Sequence, residues 1–151
     1  DSADALFFYA TSYCLASLTA FAVFLSLQNS TGEYSLEILK GLSRKNPFMA
    51  FALVVAFLSL AGIPPLAGFF GKYFLFITAI KNGFLYLVII AIINTMIGAY
   101  YYLRVLNLAF TKEVFYEKPI KNSILFDAVI VFTAIGSIIL GVFPDLLKGL
   151  I

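Results

Sequence analysis

A single lysine follows a pair of prolines inside one of the most apolar parts of the chain. The stretch LSLAGIPPLAGFFGKYFLF, residues 58–76, contains Pro64 and Pro65 between Gly62 and Gly68, and then Lys72. Proline lacks a backbone N–H and pushes the residue before it out of the helical region, so this pair predicts a helix break near residues 62–66. Backbone freed at membrane depth is tolerated where protein buries it or where it lines a water-filled cavity, which is typical of transport sites.

Proton transfer is the chemistry that Lys72 could perform. An ionisable residue within a membrane span costs roughly 2.5 to 3.5 kcal/mol on insertion scales and is by default a candidate for a pathway or relay. A buried lysine can release its proton, whereas arginine stays protonated. The break and the lysine together therefore predict one proton-handling site.

Two plainer interpretations of this stretch stay open. A proline kink can serve helix packing alone. The Lys72 side chain lies about 13.5 Å along a helix from the expected membrane edge near Lys81, and it could extend part of that distance toward water.

Other polar side chains in apolar segments could line a hydrated path. Serine, threonine and asparagine also serve close helix packing in membranes, so the assignment is a hypothesis. These candidates are Tyr9, Tyr13, Ser59, Asn94 and Thr95. By contrast, Tyr100, Tyr101, Tyr102 and Arg104 are typical of an aromatic belt at the membrane surface.

The elements that position these residues follow from composition. The chain is 62% hydrophobic and 12% charged, about half the charge of an ordinary soluble domain. Its charges cluster between long apolar segments, and about 20 apolar residues suffice to cross a bilayer as a helix. We predict an all-α polytopic membrane helix bundle, a single membrane domain over residues 1–151, without the alternation of a β-barrel. The four predicted passes are at about residues 6–27, 47–80, 84–110 and 124–147.

The second pass is too long for one straight helix. Residues 47–80 would form a helix about 51 Å long, far more than the roughly 30 Å of hydrocarbon. The break near residues 62–66 accounts for the excess.

Basic residues predict the orientation. Four passes place the loops 28–46 and 111–123 on one side, and by the positive-inside tendency that side is the cytoplasm or the mitochondrial matrix. The lysines and arginine of these loops are Lys40, Arg44, Lys45, Lys112, Lys118 and Lys121, against Lys81 and Lys148 on the other side.

The scarcity of cysteine and histidine argues against several other kinds of functional site. A single cysteine, Cys14, and no histidine argue against a metal site or an internal disulfide, and no nucleotide-binding, nucleophilic or haem motif is present. The chain begins with Asp1 and shows no signal peptide, so we expect a natural or truncated piece of something larger. We expect no nucleic-acid partner.

The sequence resembles a known family at these same residues. The segments SLAGIPPLAGFFGKYF, GLSRKNPFMAF and IGAYYYLRV are similar to the C-terminal part of subunit 2, or subunit N in bacteria, of proton-pumping NADH:quinone oxidoreductase, respiratory complex I. The glycine, proline and lysine block is shared with the sister antiporter-like subunits. The resemblance covers essentially the whole chain.

The resemblance implies a function and a site. It implies that the second pass is the discontinuous helix of an inverted repeat, and that Lys72 is the proton relay of the output half-channel. Where the family commonly has Asn and Gly after a tyrosine matching Tyr13, this chain has Ser17 and Thr19, whose hydroxyls could still hold water.

The resemblance also implies the assembly. The chain would be part of a translocase, the proton-pumping NADH:ubiquinone reductase, with no cofactor of its own, while FMN, iron-sulfur clusters and quinone belong to other subunits. Its partners would be other membrane-arm subunits, including the remaining N-terminal part of the same subunit, and lipids.

Two further functions and two locations stay open. The chain could belong to a cation/proton antiporter, or it could be a structural membrane scaffold without a transport role. The residue composition favours the mitochondrial inner membrane, and the bacterial plasma membrane is the alternative.

Overall fold

The computed structural model describes residues 2–115, 119–121 and 123–146, and this part of the chain is all-helical. The α-helices are α1 (Ser2–Thr31), α2 (Leu42–Lys45), α3 (Pro47–Ala61), α4 (Ala67–Lys81), α5 (Leu85–Ala109) and α6 (Ile124–Val142), with 3-10 turns at Leu36–Leu39 and Pro144–Leu146. Lys118, Lys148 and the predicted end of the last pass at Leu147 lie outside the described residues.

Three of the described helices, α1, α5 and α6, are long and apolar enough to cross a membrane. This agrees with the prediction of an all-α membrane protein. The helices α3 and α4 have 15 residues each, or about 22 Å, so neither alone matches the roughly 30 Å of a bilayer core.

Residues 62–66 separate α3 from α4. The helix α3 ends at Ala61 and is capped by Gly62, which has the left-handed backbone conformation, φ 79°, that glycine adopts at little steric cost. The N–H of Gly62 donates to the carbonyl of Ser59 (3.0 Å), and the N–H of Ile63 donates to that of Leu58 (3.0 Å). These two bonds form a Schellman motif, the common way to end a helix.

Glycines allow the start of α4 to pack closely against its neighbours. A Cβ atom at Gly68 would overlap the backbone carbonyl of Ser59, and one at Gly141 of α6 would overlap the carbonyl of Pro65. A Cβ at Gly71 would lie 2.7 Å from the hydroxyl of Ser12 on α1. The first turns of α4 are therefore packed against α1, and the segment between α3 and α4 is packed against α6.

The two long loops meet at one end of the bundle, which we call the loop end. The N–H of Gly41 donates to the carbonyl of Leu108 (3.2 Å), and the N–H of Phe115 donates to that of Lys40 (3.4 Å). The N–H of Lys121 donates to the hydroxyl of Ser30 (3.1 Å). These contacts agree with the prediction that both loops share a side. The α4–α5 turn lies at the other end, which we call the turn end.

Cysteine labelling tests this arrangement. In a Cys14→Ser background, Glu33→Cys and Glu113→Cys place exposed thiols in the two loops, and Asn82→Cys places one in the α4–α5 turn. In sealed vesicles of the complete assembly, we expect an impermeant maleimide to label the two loop cysteines from the same face. Asn82→Cys is the control and should react only from the opposite face. Labelling of the two loop positions from different faces would contradict the fold.

Candidate functional site

The Lys72 side chain reaches back from α4 to the end of α3. Its Nζ donates a hydrogen bond to the backbone carbonyl of Leu60 (2.6 Å). The Schellman motif uses the carbonyls of Leu58 and Ser59 and leaves that of Leu60 to the lysine. Because the C-terminal end of a helix carries partial negative charge, the contact places a cationic side chain against the negative end of α3.

Gly62 makes room for this contact. A Cβ atom at Gly62 would lie 3.2 Å from Cδ and 3.3 Å from Nζ of Lys72. The left-handed backbone of Gly62 and the approach of Lys72 therefore both require a residue without a side chain. Of the other residues predicted to form the break, Pro64 and Pro65 are exposed, whereas Gly68 is buried against Ser59.

A cavity of about 370 Å³ lies next to Lys72. It is bounded by α1, α3, α4 and α5. Its polar lining consists of Tyr9, Tyr13, Lys72, Asn94, Thr95 and Tyr102. An amine and several neutral hydroxyl and amide groups thus share one space, an arrangement that can hold water and pass protons but that offers no second charged side chain.

The residues predicted to line a path divide into two groups. Tyr13 lines the cavity at Lys72, and both Tyr13 and Ser17 line an adjoining cavity of about 360 Å³. Thr19 and Ser59 are fully buried and line neither of these two cavities.

Thr19 and Ser59 instead contact α6. The hydroxyls of Thr19 and Thr133 lie 2.7 Å apart. The hydroxyl of Ser59 accepts a hydrogen bond from the N–H of Gly68 (3.0 Å) and another from the hydroxyl of Ser137 (3.2 Å). Ser59 therefore holds the first turn of α4, because it satisfies one of the backbone N–H groups that a helix start leaves free.

Tyr102 differs from the two neighbouring tyrosines of the predicted aromatic belt. Tyr100 and Tyr101 are exposed, as an aromatic belt requires, but Tyr102 is half-buried and lines both cavities. Its ring stacks on Phe57 of α3, with ring centroids 5.7 Å apart. The spacing of Thr95, Gly98 and Tyr102 places them on one helix face and could have indicated this.

Acidic and thiol side chains do not cluster in the part of the chain that the structure describes. In residues 2–115, 119–121 and 123–146, no three side chains of Cys, Asp or Glu converge.

Comparison with known proteins gives a consistent set of similarities. A family model described as NADH:quinone oxidoreductase/Mrp antiporter, transmembrane, matches residues 1–98. NADH-quinone oxidoreductase subunit N 2 of Herpetosiphon aurantiacus is 41% identical over 153 aligned positions, covering 100% of this chain and 28% of the relative. Subunit N of Cytophaga hutchinsonii is 39% identical, covering 94% of this chain and 31% of the relative.

A solved structure is also similar. A chain of respiratory complex I from Thermus thermophilus with bound aureothin superposes with a TM-score of 0.82 at 36% sequence identity, covering 96% of this chain and 34% of that chain. The chain therefore spans about a third of the length of the proteins that it matches.

Substitution of Gly62 tests the space that Lys72 needs. Gly62→Ala forces a side chain into the left-handed region, which costs about 1 to 2 kcal/mol, and it also displaces Nζ. Gly83→Ala is the matched control, because Gly83 has φ 83° and no atom within 4 Å of its Cβ position. We expect similar losses of thermal stability of the assembly, but only Gly62→Ala should lose the proton translocation that we propose below. Equal rates of proton translocation by Gly62→Ala and Gly83→Ala would contradict the claim that Lys72 needs the space beside Gly62.

Proposed function

The chain belongs to the NADH:quinone oxidoreductase/Mrp antiporter transmembrane family, and from that membership we propose that it is part of a proton-translocating membrane-arm subunit of respiratory complex I. The observation that carries the proposal is the hydrogen bond from Lys72 to the carbonyl of Leu60 at the break between α3 and α4. A titratable amine is held there at the end of a half-helix, beside a polar cavity.

In this proposal the described helices make four passes, and α3 and α4 together form the second. Each half is too short to cross the bilayer alone, and the two together, with the break between them, have the length for one pass. The break then lies inside the membrane rather than at its surface. Discontinuous helices of this kind form ion sites near the midplane of many transporters.

Lys72 acts as the proton relay. In its protonated form the amine donates to the Leu60 carbonyl and gains from the partial negative charge at the end of α3. When the proton leaves, that gain is lost, and the neutral amine is free to turn into the cavity toward Asn94 and Thr95. A change of charge in a neighbouring part of the assembly can thus shift Lys72 between holding and releasing its proton.

Electron transfer takes place elsewhere in the proposed assembly. We assign no cofactor to this chain and place FMN, iron-sulfur clusters and quinone in other subunits. Its partners are the other membrane-arm subunits, the remainder of its own subunit and lipids. The relatives compared above are bacterial, which fits a bacterial plasma membrane, and the mitochondrial inner membrane is the other energy-transducing membrane consistent with the residue composition.

A cation/proton antiporter is the second candidate, because the matching family model includes Mrp antiporters. The polar groups at Lys72 favour protons over metal cations, since no carboxylate lines the cavity and hard cations prefer carboxylate and carbonyl oxygens. Proton transport that is independent of sodium ions would support the complex I assignment.

Substitution of Lys72 tests the relay. We expect Lys72→Ala in the complete assembly to abolish most proton pumping in reconstituted vesicles, and with it coupled quinone reduction, while the assembly stays intact because removal of a membrane-embedded charge lowers insertion cost. Lys72→Arg should also fail, since arginine keeps its proton. Lys81→Ala, an exposed lysine at the end of α4, is the control and should pump normally.

Two outcomes would contradict this role. Pumping by Lys72→Ala at the wild-type rate would remove Lys72 from the proton path. Full activity of Lys72→Arg together with a small loss in Lys72→Ala would instead show that the side chain only extends toward the membrane surface.

A further inference from the structure

Two cavities adjoin each other along α1, α3 and α5. The first contains Lys72, and we call it the lysine cavity. The second, of about 360 Å³, lies toward the loop end, where Leu36 and Leu39 of the loop after α1 form part of its wall. We call it the loop cavity. Both share the same three lining residues, Tyr13, Leu60 and Tyr102.

Together the two cavities extend through much of the membrane depth. On α5 their lining residues run from Ala91 to Val105, about 21 Å at 1.5 Å per residue. On α1 they run from Tyr9 to Phe24, about 22 Å. The hydrocarbon core is roughly 30 Å thick, so the pair reaches from the level of Lys72 toward the loop end.

Two phenol side chains stand at the junction of the cavities. Tyr102 is half-buried and fixed by its stacking on Phe57, and Tyr13 stacks on Tyr9 with ring centroids 6.2 Å apart. Their rings form part of the wall of both cavities, and their hydroxyls supply hydrogen-bonding groups. The third residue of the junction, Leu60, carries the carbonyl that holds Lys72.

We propose that Tyr13 and Tyr102 form a gate through which Lys72 exchanges protons with the loop end of the bundle. The proposal rests on the relay function of Lys72 and adds its route of access. It differs from the resemblance, which gives Lys72 an output role toward the opposite side. Most of the loop cavity is apolar, with Phe21, Phe24 and Phe57 in its wall, and narrow apolar passages open and close to protons by wetting and drying.

In this proposal the remainder of the subunit closes the open side of the two cavities. Tyr13 is 52% exposed in this chain, so one side of the cavities is open to a neighbour. Because the chain spans about a third of the length of its relatives, the rest of the same subunit supplies that wall. The passage therefore exists only in the complete assembly, which is the form to be tested.

Cysteine access tests the route independently of pumping. In a Cys14→Ser background, Ser17→Cys and Ala20→Cys place small thiols in the wall of the loop cavity. Leu18→Cys, on an exposed face at the same depth, is the matched control. With the complete assembly in sealed vesicles, we expect the impermeant trimethylammonium ethyl methanethiosulfonate to label Ser17→Cys and Ala20→Cys from the loop end, severalfold faster than Leu18→Cys.

A cysteine in the lysine cavity tests whether Tyr102 controls access from the loop cavity. Thr95→Cys places a thiol beside Lys72. We expect this thiol to react slowly from the loop end with Tyr102 in place, severalfold faster after Tyr102→Ala, and slowly again with Tyr102→Phe, which keeps the ring. Tyr102→Phe should nevertheless lower pumping, because it lacks the hydroxyl, whereas a purely structural role would leave pumping unchanged.

The outcomes separate the route from the relay. If the two loop-cavity cysteines remain unlabelled from the loop end, another helix fills the loop cavity and the route is overturned, whatever Lys72→Ala does to pumping. Unchanged reactivity of Thr95→Cys after Tyr102→Ala overturns the gate. The labelling pattern should persist in a Lys72→Ala background, so a failed relay leaves the route measurable.

Discussion

The hydrogen bond between the Lys72 amine and the Leu60 carbonyl links the backbone of this protein to its chemistry. In the membrane pass that we propose for α3 and α4, every backbone polar group needs a partner. The interruption between α3 and α4 leaves carbonyls at the end of α3 without helical partners. The Schellman motif satisfies two of them, and Lys72 satisfies a third. The amine in turn gains a hydrogen-bond acceptor, so the break and the lysine each supply a polar partner for the other.

The surroundings of the break restrict what can move. Gly68 and Gly141 bring α4 and the segment before it against Ser59 and α6 so closely that a methyl group would overlap backbone atoms. Ser59 is bonded both to the start of α4 and to Ser137. Close packing of this kind opposes a hinge at the break. The mobile part of the site is then the long side chain of Lys72, which lies beside a cavity.

Local sequence rules predicted the features that depend on a few neighbouring residues. Proline chemistry indicated where α3 ends, and the excess length of residues 47–80 indicated only that one straight helix does not fit. What the sequence left undetermined was the direction of side chains within helices that are apolar on every face. Tyr102 was assigned to a surface belt because its neighbours Tyr100 and Tyr101 belong there, while its own side chain turns toward Phe57. The hydroxyl of Thr19 is hydrogen-bonded to that of Thr133 on α6. The two residues are far apart in sequence, so no local pattern predicts this contact.

Restoration of an amine at position 72 is the most direct test of the account. Lys72→Cys in a Cys14→Ser background should assemble but not pump, and 2-aminoethyl methanethiosulfonate should then rebuild a side chain that ends in an amine, with the modification verified by mass spectrometry. The account predicts that pumping returns with this adduct and does not return with the methyl adduct of the same thiol. Equal recovery with both adducts, or pumping by unmodified Lys72→Cys, would contradict a titrating amine at the break.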